Sequence, residues 1–385
     1  MTLPQPDADA LAYSARLTHH IAAQIDAAGG WIGFDRFMEL ALYTPGMGYY
    51  SGGARKFGAA GDFVTAPELS PVFSQTIGAQ VAHIFAISAP QIIEVGAGSG
   101  RLAADLLLEL ERRSVLPDSY SILDLSGELR ARQRETIADR APHLLNRVNW
   151  LDRLPDHFDG LVLANELLDA MPVHLVVWRD ESIEERGVAV ENNQFVWSDR
   201  PATGRLLNRA QVLAGERSLP AGYQSEICLA APAWVAAWAG ILGRGALLLI
   251  DYGFPQHEYY HSQRNTGTLM CHYRHHAHHE PFYLPGLQDI TAHVDFTAVV
   301  EAGCEAGLDF LGYTTQSTFL LNCGLPEVLA RTSAEDTVRY LPLASSAQKL
   351  ISPGEMGELF KVMALGKGIT ETLVGFAKGD RSATL

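Results

Sequence analysis

Cysteine and basic residues are scarce in this chain of 385 residues, and each scarcity excludes something. Four cysteines stand at 228, 271, 304 and 323, none in a C-x-x-C pair. That spacing matches no zinc module, and free thiols in a reducing, cytoplasmic compartment are the simplest reading. Lysine and arginine number 29 against 44 aspartates and glutamates, leaving a net charge of −15. A field of that sign repels nucleic acid phosphates and anionic membranes over any wide contact and attracts a cationic substrate, although acidity also serves plain solubility. No run of about 18 apolar residues is available to span a bilayer. The N-terminus, MTLPQPDADALAYSARL, has neither an apolar signal core nor the basic charge of a transit peptide. Internal repeats are missing too. What remains is 47% hydrophobic and 19% charged, an ordinary globular composition long enough for two or three folding units.

Residues 9–28 and 34–42 carry apolar residues at helical spacing, the first run ending at Gly29-Gly30. The stretch from Thr44 to Pro71 holds six glycines, too many for a helix or strand interior. Its aromatics, Tyr49, Tyr50, Phe57 and Phe63, speak for a binding loop or lid rather than disorder. From residue 91 strands and helices alternate: QIIEV, then a helix at 101–114, YSILDL, a helix at 127–141, RVNWL, and GLVLAN. That rhythm implies an α/β fold with a doubly wound, mostly parallel sheet. It breaks at 174–199, which reads as a β-hairpin, and resumes with a helix at 231–242 and the strand GALLLIDYG. Residues 254–295 read as irregular. A helix at 297–307 and strands at 308–314 and 359–368 close the chain. The expected organisation is an N-terminal helical and glycine-rich lid segment, 1–90, followed by a catalytic unit, 91–385, with insertions at about 174–226 and 254–295.

The segment IIEVGAGSGR follows a strand and opens a helix. Gly96, Gly98 and Gly100 let the backbone turn sharply and approach a ligand with no Cβ in the way. The dinucleotide pattern G-x-G-x-x-G fails at Arg101, where close helix–strand packing wants a small residue. The spacing from Glu94 is E-x-G-x-G-x-G, the signature of S-adenosylmethionine (SAM) methyltransferases. An acid suits the ammonium of that cofactor, and Asp124, at the end of the second strand, stands where a ribose-binding acid belongs.

The fourth strand ends in an amide and two acids, Asn165, Glu166 and Asp169, before Pro172 stops the chain. Acids three apart share a face on a turn of helix and can hold a planar cation between them. Methyl transfer needs a lone pair on the acceptor, and carboxylates beside a guanidinium draw its charge to one side and fix its approach. Capping accounts for the same residues equally well, because Asn165 is a good N-cap and acids favour the first turn.

The blocks GFDRFMELALYTPGMGYYS, FGAAGDFVTAPELSPVF, IIEVGAGSGRLAADLL, LANELLDAMPVH, LLLIDYG, GLQDITAHVDFTAV and GELFKVMALGKG resemble, in order, those of the MidA-like SAM-dependent methyltransferases. The resemblance runs from about residue 30 to 368. It implies a Rossmann-like sheet of seven strands, SAM as cofactor, and N-methylation of an arginine in a partner protein, since the family's mitochondrial branch comprises protein arginine methyltransferases needed for respiratory complex I assembly. A respiratory complex I subunit is therefore an implied partner. A small-molecule acceptor, a SAM-binding assembly factor without turnover and a nicotinamide oxidoreductase stay as alternatives, and oligomeric state stays open. Position by position, the resemblance implies cofactor contacts from Glu94, Gly96, Gly98, Gly100 and Asp124, the last one methylene shorter than the family's usual glutamate. It implies that Asp62, Thr65 and Pro67 close over the cofactor and that Asn165, Glu166 and Asp169 form the catalytic element. His293 and Asp295 are candidates for substrate binding, against capping by Asp295 and a structural histidine. The five histidines of HYRHHAHHE, 272–280, read as a polar surface loop, because Pro281 and Gly286 oppose the helix that would bring His272 and His276 together, and no metal is expected.

Overall fold

A computed structural model describes residues 3–52, 65–124 and 126–385. Seven strands form the continuous path of its largest sheet: β1 (Gln91–Val95), β2 (Ser119–Leu123), β3 (Val148–Leu151), β4 (Phe158–Asn165), β5 (Leu242–Phe254), β6 (Asp309–Thr315) and β7 (Phe360–Lys367). Their spatial order is β6-β7-β5-β4-β1-β2-β3. All neighbours run parallel except β7, which is antiparallel to both β5 and β6. The sheet holds eight strands rather than the expected seven, because Val294–Asp295 adds a two-residue parallel strand beside the end of β5.

The central strands β1, β4, β5 and β7 are buried on both faces, which is why they read as nearly unbroken apolar runs. Ile92, Leu161, Leu163, Leu248 and Val362 face helices Pro71–Ile87 and Arg101–Arg112. Ile93, Val162, Leu247, Leu249 and Met363 face helices Ala230–Ile241 and Phe296–Glu305. Strand order reverses between β1 and β4, so the chain leaves these two strands in opposite directions and opens a crevice beyond their carboxyl ends. That crevice receives both the glycine loop after β1 and the acids after β4.

The region expected to be one hairpin builds a five-stranded antiparallel sheet. Strands Ile183–Glu191 and Gln194–Pro201 form the hairpin, turning on Asn192 and Asn193 with φ of 51° and 60°. Such positive φ pairs match the strand twist, and asparagine tolerates them. His174–Trp178, Tyr223–Ile227 and Ile32–Gly33 complete the sheet. Helix Gly204–Glu216 covers one face. The two N-terminal helices, Ala8–Ala27 and Phe34–Tyr43, cover the other and share a core with it through Leu17, Ile21, Phe37, Leu175 and Val188. Helix Pro71–Ile87 packs instead on the largest sheet.

Residues 254–295 are more ordered than expected. Met270–Tyr273, His276–His278 and Asp289–Thr291 form a small sheet. The histidine-rich segment is therefore a hairpin turning on Arg274 and His275, with His272 facing Ala277 across the strands rather than His276.

Candidate active site

The crevice is a cavity of about 720 Å³, lined by the glycine loop, Asp124, the acid turn after β4 and helix residues from the N-terminal segment. On the cofactor side, Gly96, Gly98 and Gly100 have φ of 69°, 53° and 83°. This left-handed backbone favours glycine, and Gly100 is held most tightly, since an added Cβ would lie 2.8 Å from Gln133 Cα. Glu94 lines the cavity from β1 and is buried; the Tyr120 hydroxyl donates to its Oε2 at 2.6 Å. Burial lifts its carboxyl to about 7, against the pull of that hydrogen bond. Asp124 accepts from the Ser126 amide at 3.0 Å and from Gln133 Nε2 at 2.8 Å.

Gln133 escaped the sequence reading. Its Nε2 also donates to the Gly98 carbonyl at 3.1 Å, so one side chain ties the glycine loop to Asp124. A signal existed: Leu129, Gln133 and Ile137 form the buried face of helix Gly127–Arg140, and a polar residue in the middle of an apolar stripe calls for partners. Thr65 and Pro67 line the cavity, together with Glu68, which receives the Ser99 hydroxyl. Asp62 lies outside the described residues.

On the acceptor side the expected helix does not form. Glu166 has a φ of 51°, which breaks helical geometry at the first acid, and residues 166–171 make a sequence of bends and turns. The turn is pinned from β5. Asp251 Oδ2 accepts the amides of Leu167, Leu168 and Asp169 at 3.1, 2.8 and 3.3 Å. The capping role open to Glu166 and Asp169 thus falls to Asp251, and their own side chains face the cavity. Glu166 Oε1 accepts from the Ala66 amide at 3.3 Å and from Asn165 Nδ2 at 3.2 Å. Asn165 Oδ1 and Asp169 Oδ1 are buried acceptors with no donor among the described residues.

Burial raises all three acids. Glu166 is lifted to about 8 by burial and then by the charge of Asp169, against its two hydrogen bonds. Burial lifts Asp169 to about 6 despite a hydrogen bond from Tyr252. Asp251 is pushed well above the usual carboxylate range by burial and by Asp169. The opposite wall is aromatic: Tyr43 and Tyr50 stack with ring centroids 5.5 Å apart. Tyr43 donates to the Ala170 carbonyl at 2.8 Å, and Tyr50 to both oxygens of Asp289 at 3.0 Å.

His293 and Asp295 lie away from this cavity, against a separate small one. Asp295 caps helix Phe296–Glu305 by accepting the Ala298 amide at 3.2 Å. The His293 ring packs edge-on between Tyr252 and Phe254, and burial with the nearby charges of Arg264 and Lys361 lowers it to about 4. Their assignment to substrate binding therefore gives way to structural roles.

The family model described as "putative S-adenosyl-L-methionine-dependent methyltransferase" matches residues 76–314. The chain belongs to this family. A solved structure from Burkholderia thailandensis, bound to S-adenosyl-homocysteine, is 54% identical, covers 100% of both chains and superposes with a TM-score of 0.97. Two curated relatives, the mitochondrial protein arginine methyltransferase NDUFAF7 of Danio rerio and its Drosophila melanogaster homolog, are each 28% identical. They align over 90% and 95% of this chain and 86% and 88% of their own. The methyltransferase uses SAM. Its own geometry fits that cofactor: a left-handed glycine turn, the Asp124–Gln133 bridge and a cavity of about 720 Å³ meet at the end of β1. The expected cytoplasmic location is corrected, since these relatives are named as mitochondrial proteins. Four free cysteines are compatible with any reducing compartment and do not separate one from another.

Proposed function

We propose that this methyltransferase N-methylates an arginine of a partner protein, as the relatives' names suggest, with a respiratory complex I subunit as the candidate partner implied by the family resemblance. The observation that carries the reading is a surplus of acceptors. Among the described residues Asp169 and Asp251 are buried beside the half-buried Glu166, Asn165 Oδ1 and Asp169 Oδ1 lack donors, and no lysine or arginine pairs with these acids. A buried carboxylate without a counter-charge is costly. A guanidinium supplies both the charge and a fork of N–H donors.

Bound SAM supplies a methyl group on a sulfonium. Glu166 and Asp169 draw the guanidinium's charge toward the nitrogens they hold, leaving the remaining nitrogen richer in electron density and aimed into the cavity. Once that nitrogen is methylated it must shed a proton, and a carboxylate lifted to about 8 or about 6 is a competent acceptor near neutral pH. Glu94, the three glycines, Asp124, Thr65 and Pro67 are assigned to the cofactor. As to organisation, the N-terminal helices and the inserted sheet act as a cover, and residues from Pro71 onward, apart from the insertions, act as the methyl-transfer unit. The test is incubation with methyl-labelled SAM and a mitochondrial lysate. A labelled protein band that yields methylarginine on hydrolysis is expected. Label confined to solvent-extractable material, or found in methyllysine, would overturn the proposal.

A further inference from the structure

Apart from the methyl-transfer cavity, three metal-ligand side chains meet where the N-terminal helix joins the inserted sheet. Asp35 lies in the first turn of helix Phe34–Tyr43, His174 opens the strand His174–Trp178, and Glu185 lies on the adjacent strand Ile183–Glu191. One ligand atom from each falls within 4.8 Å of the other two. His174 Nδ1 stands 2.7 Å from Glu185 Oε1 and 3.5 Å from Asp35 Oδ1. Side-chain exposures of 33%, 19% and 16% for Asp35, His174 and Glu185 leave the group reachable by an ion but largely shielded from competing water.

Gly33 supplies a second, separate observation. Its φ of −60° is open to any residue, so its backbone does not call for glycine. The space above it is taken by the two carboxylates: an added Cβ would sit 2.3 Å from Asp35 Oδ1 and 2.8 Å from Glu185 Oε1, and both side chains would have to swing aside. The missing side chain keeps a recess in which two carboxylate oxygens converge. Two ionised carboxylates brought this close repel unless a positive charge stands between them. A protonated His174 brings one positive charge against two negative ones, whereas a divalent ion balances both carboxylates and takes the imidazole as a neutral ligand. Two carboxylate oxygens and one imidazole nitrogen suit first-row divalent ions. Metal bonds of about 2.0–2.2 Å place ligand atoms about 3.0–3.4 Å apart, so an ion enters as the 2.7 Å His174–Glu185 hydrogen bond opens slightly and Asp35 closes in from 3.5 Å.

We propose that Asp35, His174 and Glu185 form a binding site for a divalent first-row transition metal ion. The site is distinct from the methyl-transfer chemistry, and no reaction step passes through it. Its place in the fold gives it a consequence. Helix Phe34–Tyr43 carries Tyr43 into the cavity wall, and His174 follows the acid turn after Pro172 and Val173. An ion here ties the aromatic wall to the acid floor.

Titration of Mn2+ into the full chain, followed by the loss of the free-ion paramagnetic resonance signal, tests the site. One bound Mn2+ per chain, displaced by Zn2+, is expected. Glu185→Gln and Asp35→Asn should each weaken Mn2+ at least tenfold while S-adenosyl-homocysteine binding, measured by calorimetry, shows that the fold is intact. Replacing the hairpin residues His275, His276, His278 and His279 by alanine should leave the Mn2+ site in place. No bound Mn2+ at millimolar concentration, or unchanged affinity in Glu185→Gln and Asp35→Asn, overturns the proposal.

Discussion

At the scale of single residues, Glu166 is the side chain with the clearest assigned task. Glu166→Gln preserves its volume and removes its charge. Turnover should fall by roughly two orders of magnitude or more, as with other lost electrostatic positioning groups. S-adenosyl-homocysteine affinity should stay within a few fold. Calorimetry and labelled methyl transfer measure the two, and an equal loss in both would move Glu166 to the cofactor. The raised acids also set a pH dependence. Glu166 and Asp169 are lifted from 4.5 and 3.8 to about 8 and about 6, so the folded chain holds protons that the unfolded chain releases. Their contribution to stability is therefore complete below the unfolded values and lost as pH rises through about 6 to about 8. The melting temperature of the ligand-free protein should fall as pH rises from about 4 to about 8 and level off above that. Over the same interval KM for an arginine peptide should improve, by up to about tenfold per unit, because the guanidinium stays charged and needs ionised carboxylates. A rising melting temperature in scanning fluorimetry would contradict the assignment.

At the scale of elements, the glycine loop and the acid turn are positioned by different neighbours. Gly100 is enclosed by the backbone of helix Gly127–Arg140, while a Cβ at Gly96 would meet only the Leu167 side chain, at 2.9 Å from its Cδ1. Both positions are left-handed. Gly100→Ala should therefore cost about 1–3 kcal/mol for the backbone alone, plus the displacement of a helix, and should weaken cofactor binding more than Gly96→Ala. Thermal melts of the two variants with and without S-adenosyl-homocysteine rank them. The elements also show what the sequence could reveal. QIIEV, GLVLAN and GALLLIDYG were legible because strands buried on both faces must be apolar throughout. Helix Pro71–Ile87 was not, since it is buried on most sides and carries no amphipathic stripe to mark its period. The acid turn was legible in composition but not in shape: nothing local announces that Asp251, 82 residues from Asp169, takes over the capping of its amides.

At the scale of the whole molecule, the net charge of −15 acts on encounter rather than on fold. Raising salt from about 0.05 to 0.5 M should slow association of a basic peptide several fold, with a smaller change in maximal turnover, because exposed charges are screened and the buried pair is not. Stopped-flow binding against steady-state rates separates the two. Long-range assembly explains what was missed. Tyr50 meets Asp289 across 239 residues of sequence, and the N-terminal helices share their core with an insertion that begins after residue 173. Local patterns carry periodicity and turns. They do not carry the pairing of distant segments, and the aromatic wall of the site is made entirely by such pairing.

The left-handed backbone at Glu166, φ 51°, has an evolutionary corollary. A glutamate there costs about 1 kcal/mol or more that glycine or asparagine would spare. A laboratory lineage selected only for surviving heat should abandon glutamate at this codon early, whereas a lineage selected for methylation should keep it, so the fate of one position in deep mutational sequencing reports which pressure the population has felt.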